Sequence, residues 1–377
     1  MNFRRTRAMA RKELLHIVRD PRSLMAALTQ PVLVLLLFGY ALSLDVDRIP
    51  AMIYDADRSA ESQKLVQEFR GSRYFQIVDE VDSYKPIERA MDQRRILIGV
   101  AIPADYSRNL LQGHESPVQI LLDGADSNTA SIAQGYAQGL VQTYARHARE
   151  DAQSLRTGSV LRTPVDASVR VWYNPDLVSR NYIVPGLIGV ITMIIAALLT
   201  SLTIAREWEN GTMEQLLSTP VRPIEMALGK LSAHFLLGLV DMLIALFVGI
   251  VIFKVPLKGS AVLLLFSACV FLYGALAWGL YISAMFRNQL GAYQMGTLTS
   301  FLPAFLLSGF IYPIANMPWI IRVISVIIPA RYFIDMTKGI FLKGTGLRLL
   351  WVDLLLLIVY AVGVSFLAVR KLRQKIA

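Results

Sequence analysis

Charged residues are scarce in this chain of 377 residues. Asp, Glu, Lys and Arg make up 18% of it, whereas soluble domains average about 25%, and 54% of the residues are hydrophobic. This composition excludes an ordinary soluble enzyme and indicates a membrane protein. Cysteine is almost absent, and the single Cys269 excludes an intramolecular disulfide. The four histidines are too scattered to form a zinc motif of regular ligand spacing.

Long apolar runs, by contrast, occur six times. A hydrocarbon core about 30 Å thick needs roughly 20 apolar residues in a helix. The predicted transmembrane helices are residues 23–44, 181–205, 223–253, 259–286, 288–311 and 349–369. The third contains Asp241 near its middle and the sixth contains Asp353 near its start. Prolines interrupt the chain after the fifth, so residues 312–348 are predicted to form short re-entrant or extracytoplasmic helices.

Basic residues beside these runs predict the orientation of the chain. Residues 1–22 hold seven Lys and Arg residues and the tail, residues 370–377, holds four, which places both termini in the cytoplasm. Residues 45–180 then lie on the other side of the membrane, with 16 basic and 19 acidic residues. The overall charge of +10 therefore belongs to the membrane part. It suits contact with anionic lipid better than with nucleic acid, which we do not expect to bind.

Residues 45–180 are long enough for a domain with its own core. Strands are predicted at 51–54, 75–78, 96–102 and 118–122, and helices at 59–69, 84–92, 104–111 and 127–151, an alternation typical of a small α/β domain. Asp123 and Asp126 follow a strand; they are interpreted as turn acids, with a catalytic or metal pair as the alternative. Docking or substrate capture is favoured over chemistry, because no phosphate loop or nucleophile motif is present.

A short cytoplasmic segment between the second and third spans, residues 206–222, is the most informative part of the sequence. Asn210 and Gly211 favour a turn, and Thr212 with Gln215 forms a capping-box pattern that predicts a helix start at Thr212. Pro220 should end this helix after about two turns. Met213, Leu216 and Leu217 would give it an apolar side that seats in a groove on a soluble partner. Glu207, Glu209 and Glu214 would give it an acidic side. The alternative is a polar connector that only caps well.

The first twenty residues predict an amphipathic helix. Phe3, Ala10, Leu14 and Ile17 fall within an arc of about 60° at 100° per residue, and Arg5, Lys12 and Arg19 lie opposite. This pattern is typical of a helix at a membrane surface. The alternative is a simple positive topology signal.

These motifs together resemble a known family. Residues 206–220 are similar to the coupling-loop signature of ABC-2 type transporter permeases. The matching residues are Arg206, Glu207, Glu209, Gly211, Thr212, Met213, Glu214, Leu216, Leu217, Thr219 and Pro220, followed by Gly229-Lys230. Lys12-Glu13 and Arg19-Asp20-Pro21 before the first span match as well. So do Leu307-Ser308-Gly309, Pro313, Met317-Pro318 and Ile328-Pro329-Ala330-Arg331-Tyr332. The resemblance covers nearly the whole chain.

The resemblance implies an α-helical membrane protein with six transmembrane helices and an extracytoplasmic α/β domain inserted between the first two. It would be the permease subunit of an ATP-driven exporter in a bacterial inner membrane, exporting a drug-like or other amphipathic compound. Two copies, identical or paralogous, would form the pathway, and separate ATPase subunits would grip the segment around Thr212. In the family the N-terminal helix, here with Lys12, Glu13, Arg19 and Asp20, lies on the inner membrane surface against the ATPase. A periplasmic adaptor is a further expected partner.

The sequence itself supports this division of labour. A phosphate loop reads Gly-x-x-x-x-Gly-Lys-Ser/Thr, but Gly229-Lys230 has Ile224 and Leu231 at the remaining defined positions. We therefore expect no cofactor on this chain, with ATP and Mg²⁺ on the partner, and no catalytic residue or metal site.

Other residues have open interpretations. Asp241 lies within a predicted span, where inserting an unpaired charge into the membrane costs roughly 2.5–3.5 kcal/mol. It is therefore a candidate for a substrate or cation path. The alternative is an Asp with a structural role. Pro313, Pro318, Arg331 and Tyr332 mark the segment that in the family helps shape the exit, and Asp335 with Lys338 is spaced to form a pair. The rival function is a membrane-anchored sensor or receptor that binds through residues 45–180 without transport.

Overall fold

The first two helices of the chain lie end to end. The computed structural model describes residues 2–41, 48–112, 114, 116–157, 173–174 and 178–376. Helix α1, Phe3–Arg19, carries the amphipathic pattern, and α2, Pro21–Ala41, is the predicted first span. Asn2 caps α1 by accepting a hydrogen bond from the Arg4 N–H, and Asp20 ends it. The predicted end of the first span, at residue 44, lies outside the described residues.

The next part of the chain contains a four-stranded sheet. Its strands are β1, Ile49–Asp55; β2, Phe75–Val81; β3, Ile98–Ile102; and β4, Gln119–Leu122, arranged in the order β2-β1-β3-β4 with only β3 and β4 antiparallel. Its helices are α3, Ala60–Gly71; α4, Tyr84–Asp92; α5, Tyr106–Gln112; and α6, Ser127–Thr157. Every strand and helix predicted here is confirmed, with ends shifted by a few residues.

This sheet belongs to a compact unit, Leu44–Arg170. One face of the sheet packs on α3, α5 and α6 around Phe69, Val100 and Ala137, and the other packs on α4 around Ile87. The Asp123 carboxylate accepts from the Ala125 N–H at 2.9 Å, and Asp126 accepts from the Thr129 N–H and hydroxyl. The turn interpretation of these acids is therefore confirmed, and among the described residues no group of His, Cys, Asp and Glu could hold a metal.

The second unit comprises Met1–Ser43 and Val171–Ala377 and contains the long apolar helices. They are α7, Ser179–Ser201; α10, Pro223–Phe247; α11, Ala261–Met285; and α12, Gln289–Leu306, and two short helices lie between α7 and α10: α8, Thr203–Glu209, and α9, Thr212–Leu217. The short helices α13, Trp319–Ser325, and α14, Pro329–Lys338, precede the last helix α15, Leu347–Ile376. The short helices predicted for residues 312–348 are confirmed.

Four described helical segments are long and apolar enough to cross a membrane: Ser179–Glu209, Pro223–Ile252, Ala261–Met285 and Leu347–Gln374. The apolar part of α2, Ala27–Ala41, is shorter. The predicted fifth span ends too late, because α12 stops at Leu306 and Gly309 takes a positive φ of 80°. The helix of the predicted sixth span, α15, continues beyond residue 369 through the basic tail to Ile376.

The core of this unit is built around α7, which is buried on most of its surface. Helix α7 crosses α11 so closely that the Thr200 hydroxyl donates to the Leu276 carbonyl at 2.7 Å. The Ser283 hydroxyl accepts from the Ile204 and Ala205 N–H groups at 2.9 and 3.0 Å, which satisfies the first amides of α8. These contacts fix where α7 ends and α8 begins.

Replacing Gly279 of α11 with Ala should destabilise the fold, because the new Cβ would overlap the Ala197 carbonyl and the Thr200 hydroxyl of α7. Overpacking of this kind costs about 1–3 kcal/mol. Gly363→Ala is the matched control, since a Cβ there meets no heavy atom within 4 Å. The unfolding midpoint in detergent should fall for Gly279→Ala only; equal midpoints for the two variants would contradict this packing.

Candidate functional site

The segment between α7 and α10 forms two short helices joined by a left-handed turn. Gly211 adopts φ 69° and precedes α9, a conformation that glycine takes without the Cβ clash of other residues. The predicted start at Thr212 and the stop before Pro220 are confirmed. The predicted capping box is wrong, because Thr212 is already the first helical residue. Its hydroxyl donates back to the Glu207 carbonyl at 3.3 Å, and Gly211 takes the cap position.

The apolar side of α9 is covered by this chain itself. Met213 is fully buried against Met9 of α1 and Met226 of α10. Leu216 and Leu217 are half-buried on the same cluster. The prediction that these three residues seat in a partner's groove is therefore wrong for Met213. Spacing along α9 identified an apolar face, but it could not tell which surface covers that face.

The opposite side of α9 is polar and exposed. Its exposed residues are Gly211, Thr212, Glu214, Gln215, Ser218, Thr219 and Pro220. The surface that this segment offers to a partner is thus hydrogen-bonding and carries one negative charge, that of Glu214. We call residues 211–220 the coupling surface.

A buried ionic cluster lies behind the coupling surface. The Lys230 ammonium of α10 donates to both Glu13 carboxylate oxygens, at 3.3 and 3.2 Å, and to Glu207 Oε1 at 3.0 Å. Lys12 donates to the same Glu207 oxygen at 3.0 Å. The side chains of Lys230, Glu13 and Glu207 are 1%, 9% and 10% exposed. Three helices that are distant in sequence, α1, α8 and α10, are joined at this ionic cluster.

The backbone geometry lets α1 approach α10 closely enough for these contacts. A Cβ at Gly229 would lie 2.5 Å from the Met9 Cβ, so glycine is required at this crossing. The Glu225 carboxylate accepts from the Asn2 N–H at 2.6 Å and from the Arg222 N–H at 3.1 Å. Arg5 also donates to the Pro220 carbonyl. The start of α1 is therefore held at the start of α10 and at the end of the coupling surface.

Electrostatics favour the ionised form of Glu13. Burial alone would raise the pKa of the Glu13 carboxyl, but the charges of Lys230, His234 and Lys12 and the hydrogen bond from Lys230 outweigh burial and lower it below 4.5. Glu13 therefore stays negative at neutral pH and balances the Lys230 charge.

The other predicted residues of the N-terminal helix and the loop have separate positions. Arg206 donates to the Gln289 side chain at 3.3 Å, and Glu209 accepts from the Gln289 N–H at 2.6 Å, so α8 is attached to the start of α12. Arg19 is exposed, and Asp20 forms the C-cap of α1.

Two residues of the predicted apolar stripe of α1 are exposed. Phe3 is 75% exposed and Leu14 is 38% exposed, whereas Ala10 and Ile17 are half-buried and Met9 and Glu13 face α10. Phe3 and Leu14 are thus available to lipid, while a neighbouring face of the helix docks on the protein.

Asp241 lies about three turns along α10 from Lys230. It is 5% exposed, and neither carboxylate oxygen has a hydrogen-bond partner among the described residues. It lines a cavity of about 10 Å³ with Pro31, Thr192 and Leu272. This volume holds about one water molecule and excludes a larger ligand.

The residues predicted for the exit segment stabilise its turns. Tyr332 donates to the Val326 carbonyl at 2.6 Å, Arg331 donates to the Ser325 hydroxyl at 2.8 Å, and Pro313 and Pro318 each precede a short helix. The predicted Asp335–Lys338 pair is wrong. Lys338 instead donates to the Gly309 carbonyl at 3.2 Å and lies 3.6 Å from the centre of the Tyr182 ring.

Lys230 is the functional candidate whose role sequence reasoning missed. In the sequence it stands out only as part of the Gly229-Lys230 pair. The available signal was a lysine two turns into an otherwise apolar helix, where an ammonium needs a buried acid. The partner acids lie 217 and 23 residues away in sequence, so spacing alone could not identify them.

The chain belongs to the ABC-2 type of membrane transporter: the family described as ABC-2 family transporter protein matches residues 22–370. It is a multi-pass membrane protein of the permease kind. It is 37% identical over 376 residues to the probable multidrug ABC transporter permease YbhS of Escherichia coli (strain K12), covering 100% of this chain and 98% of YbhS.

Two further relatives come from the same organism. The probable multidrug ABC transporter permease YbhR is 34% identical over 99% of this chain and 100% of its own length. The inner membrane transport permease YhhJ is 26% identical over 94% of this chain and 95% of its own length.

Replacing Lys230 with Met should strongly destabilise the packing of α1, α8 and α10, because it leaves two buried carboxylates unbalanced. Breaking a buried pair from one side costs about 3–5 kcal/mol. Lys12→Met is the matched control; the Lys12 side chain is 51% exposed, and an exposed pair contributes about 0–1 kcal/mol. Chemical unfolding in detergent measures both, and similar losses for the two variants would contradict the central role of Lys230.

Acidification should remove the contribution of Glu13. Because its folded pKa is below 4.5, the contribution to stability is complete above that pH and is lost as the pH falls through the folded value. The difference in unfolding free energy between the wild type and Glu13→Gln should therefore be constant at neutral pH and shrink in acid. A difference that grows in acid would show the opposite sign of the pKa shift.

Proposed function

We propose that the chain is the permease subunit of an ATP-binding cassette exporter that moves a drug-like or other amphipathic compound out of the cytoplasm or inner membrane. One observation supports this above the others: an exposed polar surface is backed by a buried ionic cluster. A simple connector between two spans has no need to bury two acids and a lysine behind it, since desolvation of these groups is costly.

The proposed mechanism is mechanical coupling. Partner ATPase subunits bind the coupling surface at residues 211–220, and their ATP-driven closure pushes on α9. The push reaches α1 and α10 through Glu207, Lys230 and Glu13, and it reaches α7 directly because α8 follows α7 after one residue. Packed helices of this kind move as rigid bodies between two arrangements, which suits alternating access.

Energy for this cycle comes from outside the chain in this proposal. ATP and Mg²⁺ bind the partner ATPase, and no residue of this chain performs a covalent step. Two permease copies, identical or paralogous, enclose the pathway, and membrane lipid covers the apolar surfaces of α10, α12 and α15. A periplasmic adaptor docks on residues 45–180.

The proposed topology has six spans, with both termini in the cytoplasm of a bacterial cell and residues 45–180 in the periplasm. Helices α2, α7, α10, α11, α12 and α15 are the spans, and α13 with α14 forms the re-entrant exit. The basic residues of α1 and of the end of α15 support this orientation.

Reversing the charge at Glu214 should weaken ATPase binding. Glu214 is exposed on the coupling surface and is absent from the ionic cluster, so Glu214→Lys should leave the permease folded. We expect loss of co-purification with the ATPase and loss of permease-dependent stimulation of ATP turnover. Glu88→Lys, an equal charge reversal on exposed α4, is the control.

Two outcomes would contradict this proposal. Undiminished co-purification and ATP turnover in Glu214→Lys would favour the sensor or receptor function. Labelling of Ser218→Cys from the periplasmic side, in a Cys269→Ser background, would place the coupling surface where no ATPase can reach it.

A further inference from the structure

A large cavity lies directly beside the ionic cluster. Its volume is about 770 Å³, within the range of about 300–1,000 Å³ that small-molecule sites occupy. It extends along α7 and α8 from Ile195 to Arg206, which at 1.5 Å per residue is about 16 Å. The cavity is therefore long enough for an elongated molecule, in contrast to the one-water cavity at Asp241.

One part of the cavity wall is apolar. It is formed by Leu24 and Ala27 of α2, Leu198 and Leu199 of α7, Leu202 between α7 and α8, and Leu237 of α10. Uncharged apolar side chains from three helices here favour an alkyl chain over a polar ligand.

The other part of the wall is polar and is formed by residues 206–219 and by α1. From residues 206–219 it includes Arg206, Glu207, Asn210, Thr212, Gln215 and Thr219, and from the α1 end Lys12, Glu13, His16 and Asp20. An occupant with an apolar chain and a polar headgroup would thus place its headgroup against the segment that we assign to ATPase coupling.

The charges on this wall select the headgroup. Lys12, Glu13 and Glu207 belong to the ionic cluster, and Asp20 already engages another group. Arg206 lies within 4 Å of no described carboxylate and uses its Nε–H on the neutral Gln289 side chain. A guanidinium left without a counter-charge at a cavity wall favours an anion, and phosphate matches its planar donor geometry.

Glu207 adds a second requirement. Its Oε1 accepts from Lys12 and Lys230, but Oε2 is buried and has no partner in the described part of the chain. A buried acceptor without a donor is unfavourable, so a ligand that donates a hydrogen bond here gains affinity. Since Arg206 and Glu207 are adjacent, one headgroup that combines an anion with an N–H donor would satisfy both.

We propose that this cavity binds a single-chain phospholipid-type amphiphile with a phosphoethanolamine headgroup. Its phosphate lies on Arg206, its ammonium on the Glu207 carboxylate after a turn of that side chain exposes Oε2 to the cavity, and its chain along the leucines of α7. As a cargo site the cavity depends on the proposed export function. As a binding site it does not, and binding is measurable without ATPase or ATP.

Cysteine protection tests the site. In a Cys269→Ser background, Gln30→Cys places a thiol on the cavity wall, and Thr29→Cys places one on the adjacent exposed position that does not line the cavity. The purified permease in phosphatidylcholine nanodiscs is labelled with a soluble maleimide. Lauroyl lysophosphatidylethanolamine should slow labelling several-fold at position 30 and leave position 29 unchanged.

Two comparison amphiphiles define the headgroup. Lauroyl lysophosphatidylcholine keeps the phosphate but has no N–H donor, so it should protect more weakly. Dodecyltrimethylammonium has neither phosphate nor donor and should not protect. Equal protection by all three compounds, or stronger protection by dodecyltrimethylammonium, would overturn the proposal.

Variants locate the binding. Arg206→Gln should remove the preference for the phosphate compounds. Ala27→Phe fills the cavity on α2, away from the ionic cluster, and should abolish protection. Leu33→Phe is the control on the same helix: the Leu33 side chain is 54% exposed and does not line the cavity, so this variant should keep protection. Protection that survives both Arg206→Gln and Ala27→Phe would place the amphiphile elsewhere and refute the site.

Export assays separate this proposal from the proposed function. Intact protection with no ATP-dependent export of the same lysophospholipid would leave the binding site standing and contradict its role as a cargo site. Active export of other compounds, with no protection at position 30 by the lysophospholipid, would support the exporter function and contradict the binding site.

Discussion

The arrangement of α1, α8 and α10 depends on one buried ammonium. Lys230 has almost no contact with solvent, and its charge is balanced only because Glu13 and Glu207 reach it from two other helices. Glu13 in turn is held in the ionised form chiefly by the charge of that lysine and its hydrogen bond. The three groups are therefore stable together and costly apart, which couples the position of the N-terminal helix to that of the segment after α7.

This coupling gives the short helix α9 a rigid base. Met213 packs against Met9 and Met226, and Gly229 lets α1 and α10 cross at backbone distance. A helix of six residues has little stability of its own, so its rigidity comes from these tertiary contacts. The polar residues of the coupling surface are exposed because the apolar ones are already used inside the chain.

The cavity that we propose as a ligand site shares residues with the ionic cluster that we propose to transmit force. Glu207 belongs to the ionic cluster and to the cavity wall, and Arg206 connects that wall to Gln289 at the start of α12. A headgroup bound there would alter the balance of charges on α8. In such an arrangement the cargo would contact Arg206 and Glu207 of α8, while the ATPase would contact the coupling surface that follows α8.

The sequence by itself determined the elements and the family. Apolar run length predicted the long helices, the alternation of strand and helix patterns predicted the α/β unit, and Pro220 marked the end of α9, because these signals act locally on the backbone. Tertiary structure decided what those elements contact. Met213 is buried rather than available to a partner. The Thr212 hydroxyl donates to the preceding Glu207 carbonyl instead of capping α9, and the Lys338 ammonium packs on the Tyr182 ring instead of pairing with Asp335. The partners of Lys230 lie on other helices. Each outcome depends on which helix packs against which, and residue spacing within one helix carries no record of its neighbours.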